Sequence, residues 1–202
     1  MKWTRAVHYL RDLATTCAGL HERPNPIIRL AVVRLWAVGE VLGPVRDVER
    51  VTVALEVDLP VDEVPWRCEP AGAEHWGNAT RLTRNPITPL WRSAHAPVWN
   101  HHVDRPALVW DREVGVDEEV LSALEEGRGD RVRLGTPPVE ELRERLDAEL
   151  AVSLRALRSR TLAYEDKRWK PGKLEPVADD LWRASEGYLD VLDAVTRLKS
   201  VT

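Results

Sequence analysis

The clearest pattern of apolar and polar positions lies in residues 30–58, where two predicted strands meet at a glycine–proline corner. Residues 50–58 alternate strictly, which is the period of a strand; one face holds Val51, Val53, Leu55 and Val57, and the other holds Thr52, Ala54, Glu56 and Asp58. The preceding run, 27–38, is continuously apolar and β-branched, which indicates a buried central strand, with a helix as the alternative. Gly43 and Pro44 predict the turn between the strands. We therefore expect this segment to form the centre of the fold.

Helical periodicity dominates both ends of the chain. Apolar residues recur every three or four positions over 3–21, which predicts an amphipathic helix, and Pro24 and Pro26 are expected to end it. Near the other end, 139–164 and 174–198 show the same period. Thr136 is expected to cap the first of these, because it precedes two prolines. Their short connection predicts an antiparallel helical pair.

Residues 60–106 have a different character, since proline, tryptophan and histidine are concentrated there. A structureless loop of this length is uncommon in a compact domain, so we expect short elements between the prolines. The pattern predicts short helices over 73–84 and 88–95, a third strand over 105–111, a further helix over 117–126 and a small edge strand over 131–134.

These elements predict an α+β fold: a small mixed β-sheet flanked by an N-terminal helix and a C-terminal antiparallel helical pair. With 202 residues, the chain has room for one domain with a helical part. We expect residues 1–115 to form the sheet-containing part and 116–202 to form the helical part packed on it.

Composition narrows the classes of partner. The formal net charge is −4, so there is no general basic field, and we do not expect a nucleic-acid partner. No window is long and uncharged enough for a membrane span, and the N-terminus lacks the apolar region of a signal peptide. Cys17 and Cys68 form neither a disulfide framework nor a zinc-ligand spacing. These features predict a cytoplasmic protein with two reduced, buried thiols.

The order of glycine and acidic residues around the corner carries a resemblance. An apolar strand ends in Gly39 and Glu40, Asp47 and Glu49 precede the next strand, and Asp111 closes the third. This order resembles the nucleotidyltransferase superfamily, whose motif is a strand, Gly-Ser, an aspartate pair and a later carboxylate. The resemblance implies a nucleotidyltransferase-like fold. It also implies that Gly39 approaches nucleotide phosphates and that the three acids hold Mg²⁺.

The sequence departs from that motif at its chemical positions. Glu40 stands in place of the serine, and the spacing at which the aspartates belong leads to Arg50 and Thr52. We therefore predict a non-catalytic binding or regulatory protein on this scaffold, with no metal site and no cofactor. The alternative is a divergent nucleotidyltransferase that uses Asp47, Glu49 and Asp111 with Mg²⁺ and a nucleotide. The chain is also similar to an uncharacterised bacterial family with the same tryptophan-containing sequence motifs.

A second group of candidate residues lies in 89–104. Tryptophan faces with arginine and histidine donors are typical of a pocket that stacks a base or binds a phosphate-bearing ligand; the candidates are Trp91, Arg92, His95, Trp99 and His101. A metal site is disfavoured, because His101 and His102 are adjacent and point to opposite faces of an extended chain. The structural alternative is that these tryptophans fill the space between sheet and helices.

The C-terminal helices provide a third hypothesis. Helices 139–164 and 174–198 could pair with another chain, which would make the protein a homo-oligomer or a partner-binding module. The sequence names no particular partner.

Overall fold

The computed structural model of the chain describes residues 1–23 and 26–200. Five helices and five strands follow one another along these residues. The helices are α1 (Trp3–Glu22), α2 (Ala73–Ala79), α3 (Glu118–Glu125), α4 (Val139–Lys167) and α5 (Glu175–Ser200), and the strands are β1 (Val32–Val38), β2 (Val51–Val57), β3 (Ile87–Ser93), β4 (Ala107–Asp111) and β5 (Gly115–Val116). Pro24, which was expected to help end the first helix, lies outside the described residues.

The strands form one mixed sheet in the order β3-β2-β1-β4-β5. The β2–β3 pair is parallel, and the other three pairs are antiparallel. The predicted α+β class is confirmed, with a small mixed sheet between an N-terminal helix and a C-terminal antiparallel helical pair.

Helices cover both faces of the sheet. On one face, Leu35 of β1 and the apolar set of β2 pack against α1 and α3. On the other face, Trp36 and Ala54 pack against α4 and α5. Because both faces are covered, β1 is apolar at nearly every position, which explains the continuous run in the sequence. The strand interpretation of this run is confirmed for residues 32–38, and the helical alternative is wrong there.

The α4–α5 hairpin follows the predicted plan. Leu146 of α4 shares a core with Val191 and Val195 of α5, and Arg160 Nη1 lies 3.7 Å from Asp180 Oδ2 nearer the connection. One detail differs: α4 begins at Val139, and no side chain caps it, so the predicted cap at Thr136 is wrong.

The prediction of a helix over 88–95 is wrong, because this segment contains strand β3. The strand pairs in parallel with β2, and residues 58–86 form the crossover that parallel pairing requires. Hydrogen bonds from Val51 N to Pro86 O and from Ala94 N to Val57 O show that even-numbered residues bond to β2. Pro89 therefore turns its nitrogen to the outer edge of the sheet, where a missing N–H breaks no ladder bond.

Two further predictions differ from the structure, and one short strand was not predicted. Residues 131–134 do not form a strand, because a 3₁₀ helix at Gly129–Val132 occupies that position. Helix α2 ends at Ala79, and a separate 3₁₀ turn follows at Leu82–Arg84. The two-residue strand β5 is too short to leave a period in the sequence. Among the described residues, no helix combines the length and the apolar character that crossing a membrane requires.

Candidate functional site

A pocket lies where β1 ends at the glycine corner. Gly39 has φ +72°, a left-handed conformation that glycine adopts without strain, and it begins the 3₁₀ helix Gly39–Leu42. A Cβ added there would meet nothing within 4 Å, so the backbone faces open space. The pocket, of about 270 Å³, is lined by Gly39, Glu40, Gly43, Arg46, His102, Asp104 and Arg133, and we call it the corner pocket.

Two guanidinium groups face the corner pocket. Arg46 Nη2 donates to Glu40 Oε1 at 2.8 Å, and both side chains are more than half exposed. Arg133 Nε is buried and makes no hydrogen bond within the described residues. It lies 3.3 Å from Asp130 Oδ1, close enough for charge attraction, but it makes no hydrogen bond to that carboxylate. The side chain of Arg133 is 16% exposed and lines the corner pocket, so its guanidinium contributes positive charge that favours an anion there.

His102 contributes little positive charge to the corner pocket. Burial lowers the pKa of its imidazole below the usual value. Asp190 opposes this change, and the charges of Arg67 and His101 add to it. The lowered pKa disfavours a charge on His102, so the positive charge of the pocket comes mainly from the two arginines.

The three carboxylates of the suggested metal site do not come together. Asp47 and Glu49 are exposed in the segment before β2, and neither lines the corner pocket. Asp111 pairs across strands with Arg34, five positions before Gly39 on the same strand, which corresponds to roughly 16 Å. Among the described residues, no group of three or more His, Cys, Asp or Glu side chains is arranged to hold a metal ion.

Asp111 belongs to a row of alternating charges that crosses four strands. The cross-strand register aligns, in order, Asp111, Arg34, Glu56 and Arg92. Arg34 Nε donates to Asp111 Oδ2 at 2.8 Å, and Arg34 Nη1 donates to Glu56 Oε2 at 3.1 Å. Burial acts to raise the pKa of Asp111, but the hydrogen bonds from the backbone of Glu113 and from Arg34 outweigh it, so the pKa is lowered. Asp111 is thus the charged partner of an arginine.

Arg92, the last member of the row, is a buried structural group and does not line the corner pocket. Its Nη1 donates to Glu149 of α4, and its Nε donates to the carbonyl of Val98 at 2.9 Å. Asn100 Nδ2 donates to Glu149 Oε2 at 3.0 Å, and Arg145 Nη2 donates to Glu149 Oε1 at 3.2 Å. These hydrogen bonds join β3, the loop that follows it and α4.

The remaining residues of the predicted tryptophan–histidine pocket are dispersed. Trp91 lies on the opposite face from Arg92, against Trp76. His95 is exposed at the far end of the sheet, with Nε2 3.1 Å from Asp58 Oδ1. Trp99 is partly buried beside the C-terminal helices. His101 lies against Trp66 and is also partly buried. These side chains do not form one pocket.

The sequence interpretation missed the residues that organise the buried cluster around Arg92 and those that give the corner pocket its charge. Glu149 falls on the apolar stripe of α4, three positions after Leu146, and a carboxylate in such a stripe signals a buried partner. Glu56 stands likewise in a strand covered on both faces. Arg46 and Arg133 carry no such signal, because they are far apart in sequence and meet only through the fold.

The fold and pocket define a three-layer α+β protein with an arginine-lined pocket at the end of a central strand. A protein-family model described as "Domain of unknown function (DUF7711)" matches residues 1–197, so the chain belongs to this family. No curated protein and no solved structure matches the chain.

Proposed function

We propose that this is a non-catalytic binding or regulatory protein on a nucleotidyltransferase-like scaffold, and that the corner pocket binds a phosphate-bearing anion. One observation carries the proposal: the corner pocket, at the end of β1, holds two arginines and an open glycine backbone. Asp111, the third carboxylate of the suggested metal site, pairs with the other end of β1. The order of strand, left-handed glycine and antiparallel strand agrees with the scaffold that the sequence resembles.

The charges of the pocket support anion binding. Guanidinium groups recognise phosphate through paired hydrogen bonds, and Arg133 Nε has no hydrogen-bond acceptor among the described residues. Glu40 accepts a hydrogen bond from Arg46, so its carboxylate holds the place that a phosphate oxygen would take. A bound phosphate therefore competes with Glu40 for Arg46.

The placement of carboxylates supports binding without transfer. Phosphoryl or nucleotidyl transfer by a metal-dependent enzyme uses carboxylates that hold the metal ions against the reacting phosphate. The acids that line the pocket are Glu40 and Asp104, and Glu40 is engaged by Arg46. Asp47 and Glu49 lie outside the lining.

ATP is the probe for this proposal, and isothermal titration calorimetry with and without Mg²⁺ is the measurement. Arg46→Gln should weaken ATP binding about tenfold, because one charge-assisted contact is lost. Glu40→Gln should strengthen binding, because the internal competitor for Arg46 is removed. Arg112→Gln is the matched control, since Arg112 also pairs with a carboxylate, Asp58, but lies at the far end of the sheet.

Two results would contradict the proposal. Equal affinity of the Arg46→Gln and Arg112→Gln variants, or no ATP binding up to millimolar concentration, would rule out the corner pocket as the ligand site. Mg²⁺-dependent transfer of label from a nucleoside triphosphate to an acceptor would disprove the non-catalytic part.

We further propose that the protein works in the cytoplasm. Cys17 and Cys68 are both free and buried, as expected for thiols in a reducing compartment. Burial raises the pKa of Cys17 to about 12 and also raises that of Cys68, so both thiols stay protonated and unreactive. Thiol titration of the native protein purified under anaerobic conditions should find no accessible thiol, and unfolding should release two.

A second candidate function, self-association through the C-terminal helices, is favoured by one observation. Trp182 and Leu189 of α5 are 63% and 51% exposed and lie seven positions apart, on the same side of the helix. Multi-angle light scattering should show a dimer at high concentration that the Trp182→Ser/Leu189→Ser variant loses. A monomer across the concentration series would end this candidate.

A further inference from the structure

A second cleft runs along the outer edge of β3, away from the corner pocket. Its volume is about 450 Å³, and it lies between α2, the edge strand and the start of α5. The floor is apolar and the rim is acidic; the lining residues that carry the argument are Leu82, Pro89, Trp91, Glu74, Asp179 and Asp180.

The edge of β3 offers backbone groups to this cleft. Because even-numbered residues bond to β2, the N–H and C=O of Trp91 and the C=O of Pro89 face outward. The carbonyl of Ile87 also faces outward, but it accepts a hydrogen bond from Arg50 Nη2 at 2.7 Å. By the same alternation Ser93 also faces outward, but the outward-facing residues that line the cleft are Pro89 and Trp91.

The rim gives the cleft a negative charge. Glu69, Glu74, Asp179 and Asp180 line it, against a single lining guanidinium, Arg183, which lies 3.1 Å from Glu69. Asp180 lies 3.7 Å from Arg160, whereas Glu74 and Asp179 are exposed. An occupant with positive side chains would complement this rim.

We propose that the cleft binds an extended basic segment of a partner protein, which adds as a strand to the edge of β3 at Trp91. Strand addition uses main-chain hydrogen bonds for affinity and alternate side chains for specificity. Apolar side chains of the segment would lie over Leu82 and Trp91, and its lysines or arginines would meet Glu74 and Asp179. A second copy of this chain is disfavoured as occupant, because pairing two β3 edges would bring two acidic rims together.

The probe is a capped peptide of about six residues that alternates lysine and valine, with a glutamate–valine peptide as its control. Fluorescence anisotropy of the labelled peptides measures binding to the full-length protein. The lysine peptide should bind and the glutamate peptide should not. Glu74→Gln/Asp179→Asn should weaken binding about five- to tenfold, since two exposed charges are lost. Glu119→Gln/Glu165→Gln removes two exposed carboxylates elsewhere and should leave the affinity unchanged.

Hydrogen–deuterium exchange tests the strand addition itself. Bound lysine peptide should slow amide exchange in the segment 87–93, because the Trp91 N–H gains an acceptor. Binding without this protection, equal affinity of the two double variants, or equally tight binding of spermine at the same rim would overturn the proposal. A dimer that protects 87–93 without any peptide would also overturn it.

Discussion

Arg92 and Glu149 bury opposite charges at the junction of the sheet, the 97–103 loop and α4. Their residues are 2% and 4% exposed, respectively. A buried ion pair contributes little over an apolar pair of the same size, but removal of one partner leaves an uncompensated charge. Arg145 adds a second positive charge that depends on Glu149, because it also donates a hydrogen bond to that carboxylate. Burial lowers the pKa of Arg145.

Glu149→Leu should lower the free energy of unfolding by about 3–5 kcal/mol, since Arg92 and Arg145 then face each other without a carboxylate. The double variant Arg92→Met/Glu149→Leu should be more stable than Glu149→Leu alone. Urea denaturation followed by circular dichroism measures both. A double variant that is less stable than the single one would show that Arg92 stabilises the fold without Glu149, through its hydrogen bond to the carbonyl of Val98.

At the level of elements, the position of α5 depends on a close backbone approach. A Cβ on Gly187 would overlap the carbonyl oxygen of Trp66 and would lie 3.1 Å from the carbonyl carbon. Trp66 is also bound to the helix through its Nε1, which donates to Asp190 Oδ2 at 2.7 Å. Glycine therefore sets how closely α5 approaches this loop.

Gly187→Ala should destabilise the protein, although alanine in a helix normally gains about 1 kcal/mol over glycine. Gly19→Ala in α1 is the matched control, because a Cβ there meets nothing within 4 Å. Thermal unfolding should therefore give shifts of opposite sign, downward for Gly187→Ala and upward for Gly19→Ala. Two upward shifts would mean that α5 has room to move away from Trp66.

Several of the elements that the sequence predicted correctly have a period that reflects their own burial. Strand β2 alternates, and α1, α4 and α5 show helical stripes, because each packs a regular face. Strand β3 was missed because its stability comes from parallel pairing with β2, across residues 58–86. A proline such as Pro89 argues against a strand unless its nitrogen faces an open edge, and the sequence alone does not tell which edge of a strand is open.

For the whole molecule, the candidate site was only partly predictable. Gly39 and Glu40 were found, because a glycine after an apolar strand is a local signal, and both line the corner pocket. The tryptophan–histidine group does not come together in one pocket, since Trp91 and Arg92 are neighbours on a strand and face opposite layers. Arg133 and Gly39, which are far apart in sequence, line one pocket only in the folded chain.

The contact between α5 and the loop that contains Trp66 should also make the stability of the whole molecule depend on pH. Asp190 Oδ2 accepts hydrogen bonds from Trp66 Nε1 at 2.7 Å and from Arg67 Nε at 3.0 Å, and His101 Nε2 lies 3.3 Å away. Burial acts to raise the pKa of Asp190, but the Trp66 hydrogen bond and the charges of Arg67 and His101 outweigh it, so the pKa is lowered.

A lowered pKa in the folded state means that the stabilisation is complete above the unfolded value, about 3.9, and is lost as the pH falls through the folded value. Asp190→Asn should therefore reduce the free energy of unfolding at neutral pH and flatten its decline below about pH 5. Urea titrations across this range measure both effects, and Asp47→Asn, at an exposed carboxylate, should keep the wild-type slope. An Asp190→Asn curve parallel to the wild type would mean that protonation of Asp190 does not loosen α5, and the acid sensitivity would then be assigned to Asp111, whose pKa is also lowered.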